Sequence, residues 1–146
     1  MSSPRLVPFE AHHLRGLVNR DTHHEDPYSL TLEKIKGGPA FTALDGDLVV
    51  GCAGLVLPWP GMGIGWMVLS DHIERYALWM TRIVRRFLHD ARLIYGLHRL
   101  EAMVLADNVR NQRWIEMLGF TREQHGVARQ YTSDRADGLR YEWIGD

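Results

Sequence analysis

The segment spanning residues 71–95 constrains this chain more than any other. Its apolar residues Ile73, Tyr76, Ala77, Met80, Ile83, Val84, Phe87, Leu88, Ala91 and Ile94 recur at the three- and four-residue spacing that lays side chains along one helical stripe. Asp71 with Glu74 reads as a capping pair at its start, and Gly96 as its stop. Strand-like runs stand on both sides, residues 64–69 before it and 98–106 after it. A strand, a long one-faced helix and another strand in succession imply a crossover with some parallel pairing. That selects an α/β layered domain over an all-helical or all-β one.

The other elements follow from periodicity and turn chemistry. A short strand at 6–7 leads into a helix over 10–19, with Ala11, Leu14, Leu17 and Val18 on one face. Residues 21–26 form a polar loop, Pro27 opens a second helix, and Gly37-Gly38 ends it after Lys36. A strand at 40–44, the turn Asp45-Gly46 and a nearly all-apolar arm at 48–57 make a hairpin whose second arm is buried on both faces. Pro58 and Pro60, flanking Trp59, break that arm. After the long helix and the 98–106 strand come a helix over 108–118 and strands at 124–132 and 139–144, joined through residues 134–138. The predicted order is β-α-α-β-β-β-α-β-α-β-β, a single α/β domain over residues 1–146 with helices on both faces of a mixed sheet.

Composition narrows the classes of function. A formal charge of −1 gives no general attraction to nucleic acid, so no nucleic-acid partner is expected. No run approaches the roughly 20 apolar residues of a membrane span, and the N-terminal residues lack the apolar centre of a signal peptide. The expectation is a cytoplasmic protein. The single cysteine, Cys52, lies in the apolar 48–57 arm, where it reads as a small buried hydrophobe and not as a nucleophile. His12-His13 and His23-His24, followed by Glu25 and Asp26, lack the spacing of a metal motif; they read as solvated faces, with no metal site. Arg82, Arg85, Arg86 and Arg92 read as the wet side of the long helix. Trp59 reads equally as a partner anchor or as part of a loop packed over the sheet.

The stretch 106–120, ADNVRNQRWIEMLGF, has a physical reading throughout. Asp107 or Asn108 caps a helix, Trp114, Met117 and Leu118 pack inward, and Gly119 takes the positive φ that ends it. Taken with the element order, it resembles the second conserved segment of the GNAT superfamily of acetyl-CoA-dependent N-acetyltransferases, with Asn108, Glu116, Leu118, Gly119 and Phe120 in register. The element order carries the resemblance over the whole chain; the specific motif covers only this stretch. The resemblance implies acetyl-CoA as acyl donor, an amine on a small molecule or protein as acceptor, and direct attack in a ternary complex. It implies Met67, Val68, Leu69, His72, Arg75 and Asn108 as residues that hold the coenzyme, with a backbone N–H near residues 67–69 facing the developing oxyanion. It singles out no base; Glu10, Glu101 and His98 are the candidates.

Two departures set this chain apart from active members of that superfamily. Their loop before the long helix carries a glycine-rich Arg/Gln-x-x-Gly-x-Gly/Ala segment whose N–H groups hold the coenzyme's pyrophosphate. Here residues 69–77 read LSDHIERYA, without glycine and with Asp71 and Glu74 where a polyanion would sit. Ile115 stands where the superfamily often has a tyrosine that protonates the leaving thiolate, leaving Tyr76, Tyr131 and Tyr141 as substitutes. The segment beginning GWMVLSD at 65–71, with the arginine-rich helix and the Asn108 helix, is similar to GNAT-like internal virion proteins of short-tailed phages. That similarity implies a second reading, a catalytically inactive interaction or virion-associated protein, found in a host cytoplasm or a virion.

Overall fold

The computed structural model describes residues 3–17, 37–131 and 134–145. Among these described residues, seven strands form one sheet in the order β1-β2-β3-β4-β5-β7-β6. They are β1 Arg5–Pro8, β2 Ala40–Asp45, β3 Leu48–Val56, β4 Met62–Leu69, β5 Arg99–Leu105, β6 Thr121–Ala128 and β7 Gly138–Ile144. Every neighbouring pair is antiparallel except β4–β5. That pair is joined by helix α1, Ala77–Tyr95, and helix α2, Val109–Met117, follows β5. The expected mixed α/β architecture is the one found.

Burial sorts the side chains by strand parity. On one face, Ala53 and Leu55 of β3, Met80, Val84 and Leu88 of α1, and Ile115 of α2 share a core with Leu100 and Tyr141. On the other, Met62, Ile64, Trp66 and Val68 of β4 join Cys52 and Leu17. Both helices thus cover one face, and the 3-10 turn Ala11–Gly16 supplies Leu14 and Leu17 to the other. The β3 arm is buried on both faces as its apolar run requires. The β2–β3 turn centres on Gly46-Asp47, because Asp45 still pairs with Leu48; Gly46 takes φ 60°, which a two-residue hairpin turn asks of glycine.

Several expectations are corrected. The helix expected over 10–19 is a 3-10 turn as far as it is described, and the loop at 21–26 and helix at 27–36 lie outside the described residues. Asp71 and Glu74 do not cap the long helix: a separate 3-10 turn, Ile73–Tyr76, precedes it and α1 begins only at Ala77. Ile94 and Met117, expected inside, are 73% and 53% exposed. Ile94 falls in the last turn of α1, and Ile115 takes the inward place in α2 instead of Met117. Arg92 leaves the wet face and stacks 3.8 Å over the Trp143 ring. His13, expected on a solvated face, is buried, its Nδ1 accepting from the Glu10 N–H at 3.1 Å and lying 2.7 Å from Thr42 Oγ1. Asn108, not Asp107, caps α2, its side chain accepting from Asn111 N, and Gly119 ends that helix at φ 100°. No described helix is long and apolar enough to cross a membrane.

Candidate functional site

The parallel strands β4 and β5 pair over only three positions, Met62–Arg99, Gly63–Leu100 and Ile64–Glu101. Gly61 starts this pairing, since its carbonyl accepts from both His98 N and Arg99 N. Beyond Ile64, β4 keeps its ladder to β3 as far as Leu69, and β5 keeps its ladder to β7 as far as Leu105. Each strand is therefore held on its outer side while the inner sides separate. An extra residue, Val50, bulges β3 against β2 beside this end, and a bulge raises local twist.

A cavity of about 280 Å³ occupies the gap. Gly65, Met67 and Leu69 line it from β4 and residues 102–105 from β5, with Phe87 and Ile115 closing it from the helices. Strand register sets what the backbone offers there. Ser70 N donates to Val50 O at 2.9 Å, so by antiparallel alternation Val68 and Trp66 exchange hydrogen bonds with β3. The N–H and C=O of Met67 consequently turn toward the gap.

The helix-side wall is braced by side-chain bonds. Trp114 Nε1 donates to Thr81 Oγ1 at 2.8 Å, and that hydroxyl donates to Ala77 O at 2.7 Å, fastening α2 to α1. Gln112 Nε2 donates to the carbonyls of Leu105 and Ala106 at 3.1 and 2.9 Å, which fixes the start of α2 over the end of β5. An aromatic wall held this way does not collapse into the cavity when it is empty.

At the mouth four backbone donors are already committed. Ser70 N goes to Val50 O, His72 N to Ser70 Oγ, Ile73 N to Ser70 O and Arg75 N to His72 O. Glu74 and Arg110, both exposed, form an ion pair that joins the 3-10 turn to α2. An anion arriving at residues 69–77 therefore meets a turn in which these four N–H groups are already spent.

Of the six residues the sequence points to, Met67, Leu69 and Asn108 line the cavity. Val68 turns its side chain into the opposite core, and His72 and Arg75 are exposed outside the lining. None of the base candidates lines it. Glu101 is gripped by Arg99 at 2.7–2.8 Å, and Arg99 also holds Glu142 at 2.7 Å. Burial alone would lower the Arg99 pKa; the two carboxylates more than reverse it. His98 packs its ring on Gly61 at the paired end of the strands, and Glu10 belongs to the turn around His13. Ligand atoms of Glu10, His12 and His13 do approach within 4.8 Å of one another, but His13 serves there as a strut between the turn and β2. Its pKa is lowered, chiefly by burial and next by His12.

The three tyrosines separate cleanly. Tyr76 donates to Asp45 Oδ2 at 2.6 Å, a bond that raises its pKa, and lies outside the cavity lining. Tyr141 is 1% exposed in the core, with its pKa raised mainly by burial and further by Glu116. Tyr131 lines the cavity. Sequence reasoning missed Arg110, Asn111 and Ser70 as lining residues; their sole signal was proximity to Asn108 and to the end of β4.

No family model matches the chain, and no curated protein matches it. Solved structures do. A variant of the spermidine N-acetyltransferase SpeG from Vibrio cholerae aligns at TM-score 0.71 and 16% identity, over 97% of this chain and 93% of that one. The same enzyme in complex with CoA and spermine aligns at TM-score 0.69 and 18% identity, over 97% of this chain and 95% of that one. A protein assigned as a phosphinothricin N-acetyltransferase aligns at TM-score 0.76 and 14% identity, covering 99% of both chains. With the parted β4–β5 pair, the crossover helix and the strand order all in place, the chain has the fold of the GNAT acetyltransferases.

Proposed function

We propose that this protein is an acyl-CoA-dependent N-acyltransferase, taking the acetyl group of acetyl-CoA to an amine. The observation that carries the reading is the gap itself: β4 and β5 release each other after three pairs and leave a braced cavity faced by the Met67 backbone. A thin, extended arm ending in a thioester fits such a slot, pairing with strand backbone much as an added strand does. Met67 N–H is the donor for the carbonyl oxygen as negative charge develops on it, and Asn108 anchors the helix start that closes the slot. The existence of a CoA and spermine complex among the structures of like fold supports both the donor and an amine acceptor. Calorimetric titration with acetyl-CoA, with CoA as control, tests it. Micromolar binding, about −8 kcal/mol, is expected; no heat at millimolar ligand sinks the reading.

A second reading draws on the mouth. Four spent N–H donors, Asp71 and the Glu74–Arg110 pair stand where the coenzyme's phosphates would sit. A non-catalytic GNAT-fold interaction or virion-associated protein would need no more. That reading predicts no coenzyme binding in the same titration.

A further inference from the structure

The cavity changes character along its length. Ser70, Asp71, Asn108, Arg110 and Asn111 line it together where β4 ends and α2 begins. Its other end lies at the fork of the strands, where Gly65 and Ala102 follow the last pair, Ile64–Glu101. Ile64 and Trp66 belong to the opposite core, so strand alternation turns Gly65 toward the helices, as Ala53 and Ala102 are turned. Above these three stand Leu88, Leu118 and Phe120, all core residues that also line the cavity. From Ser70 back to Gly65 along β4, and from Asn108 on to Leu118 along α2, the distance is roughly 15–16 Å. One end of the cavity is therefore polar and the other, well separated from it, is lined by apolar side chains.

Gly65 leaves room that the other glycines of β3 and β4 do not. A Cβ built on Gly51, Gly54 or Gly63 would meet an atom at 2.9, 2.6 or 2.8 Å, whereas on Gly65 the nearest atoms are Glu101 O at 3.7 Å and Leu55 Cδ2 at 4.0 Å. A buried water needs about two to four polar partners, and no side chain at the fork offers one. Left empty, such a space forfeits the contacts its lining could make.

We infer that the fork end is the acyl pocket of this site, and that its preferred donor carries an aliphatic acyl chain longer than acetyl. This rests on the acyl-transfer reading above. With the thioester oxygen at Met67 N–H and the coenzyme arm on the mouth side, the chain beyond the carbonyl carbon points toward Gly65. Two residues of strand separate Met67 from Gly65, about 6.6 Å, which takes roughly four methylenes of an extended chain. Acetyl ends in a single methyl group and leaves that space open. The tail does not alter the reaction: a C–N bond forms, a C–S bond breaks, and one proton passes from nitrogen to sulfur. It also leaves the reverse face to the amine. Val104 lies in the helix-covered core, so Met103 turns to the reverse face, where it lines the same cavity beside Tyr131; a Cβ on Gly138 would meet Met103 Sδ and Tyr131 Cδ2 both at 3.2 Å.

The test is calorimetric titration of the wild type with CoA and with acetyl-, butyryl-, hexanoyl-, octanoyl- and dodecanoyl-CoA, repeated on Gly65→Val. Each methylene buried at the fork should tighten binding roughly threefold after the cost of ordering the chain, so hexanoyl-CoA should bind about eightyfold more tightly than acetyl-CoA. The gain should stop near octanoyl, where the chain outgrows the pocket. Gly65→Val fills the space and should cut the hexanoyl-to-acetyl ratio roughly tenfold, with a thermal melt to show that the variant folds. Affinity that is flat or falls from acetyl to hexanoyl overturns the pocket and leaves the acyltransferase reading standing. Affinity that climbs through dodecanoyl without a limit overturns it too, because any greasy surface does the same. If Gly65→Val does not fold, the length limit in the wild type decides. Absence of binding by CoA and by every acyl-CoA removes both readings.

Discussion

The two ends of the β4–β5 pair are made from the same strands and behave as different materials. At the Met62–Ile64 end the strands are laced together, Leu100 is fully buried, and Arg99 ties Glu101 to Glu142. At the other end the strands lean on β3 and β7 instead, and the space between them is lined on the helix side by Trp114, which is fastened to Thr81. The contrast shows how one sheet supplies both rigidity and a slot: a strand whose outer ladder is intact can leave its inner edge unpaired without unfolding. It also locates function, since backbone groups facing a gap are available to a ligand and laced ones are not.

Four experiments probe that contrast, from the largest expected effect down. Leu100→Ala empties the core beneath the laced end and should cost about 2–5 kcal/mol in urea denaturation. A loss below 1 kcal/mol would mean that the laced end is not the anchor. The second concerns Cys52, which pairs with Val68 on the β3 side of the open end and whose thiol burial pushes up to about 11 from an ordinary 9.0. The folded state then holds the thiol proton more tightly than the unfolded chain, so stability is full below pH 9 and falls as pH rises toward 11. The loss should be roughly 2–3 kcal/mol, and Cys52→Ala should lack it. A wild type and variant that lose stability in parallel would show that water reaches the core on the face of the sheet away from the helices.

The third compares two glycines two positions apart on β4. A Cβ on Gly63 meets Leu100 Cδ2 at 2.8 Å, whereas one on Gly65 meets nothing closer than Glu101 O at 3.7 Å. Gly63→Ala should therefore destabilise by about 1–3 kcal/mol. Gly65→Ala should be neutral or stabilising by about 0.4–1 kcal/mol, because it restricts the unfolded chain without forcing a close contact. Equal effects in thermal melts would erase the distinction between the ends. Smallest is Glu74→Gln at the mouth, which frees Arg110 and removes a negative charge; CoA affinity should rise roughly two- to fivefold by calorimetry. Weaker binding would show that the Glu74–Arg110 pair supports the site instead of competing with it.

The fold was legible in the sequence because its signals are local. The α1 stripe, the Gly46 hairpin and the Asn108–Gly119 helix each announce themselves within a few residues, and together they dictate the layer order. Ile94 and Met117 defeated the stripe reading because periodicity says which side of a helix is apolar, not where the sheet beneath it stops. The site was legible only in part. Met67, Leu69 and Asn108 line the cavity and were reachable through strand and cap positions, whereas the Val68 side chain lies in the opposite core, a face that strand register sets. Tyr131 came within reach only as one of three tyrosines. Its place beside Met103 depends on the β5–β7 register and on an absent side chain at Gly138, neither of which is written near residue 131. The four committed donors of the 70–75 turn were hidden for a similar reason: a missing glycine motif does not say which N–H groups are spent, and only their hydrogen-bond partners do.

Site-resolved amide hydrogen exchange with and without CoA tests the central claim most directly, because it reads the two ends of one strand pair in one experiment. The account predicts that CoA slows exchange at Met67 and at residues 102–105 while leaving Met62–Ile64 and Arg99–Glu101, already protected, unchanged. CoA binding that protects some other surface, with Met67 unaffected, would contradict it.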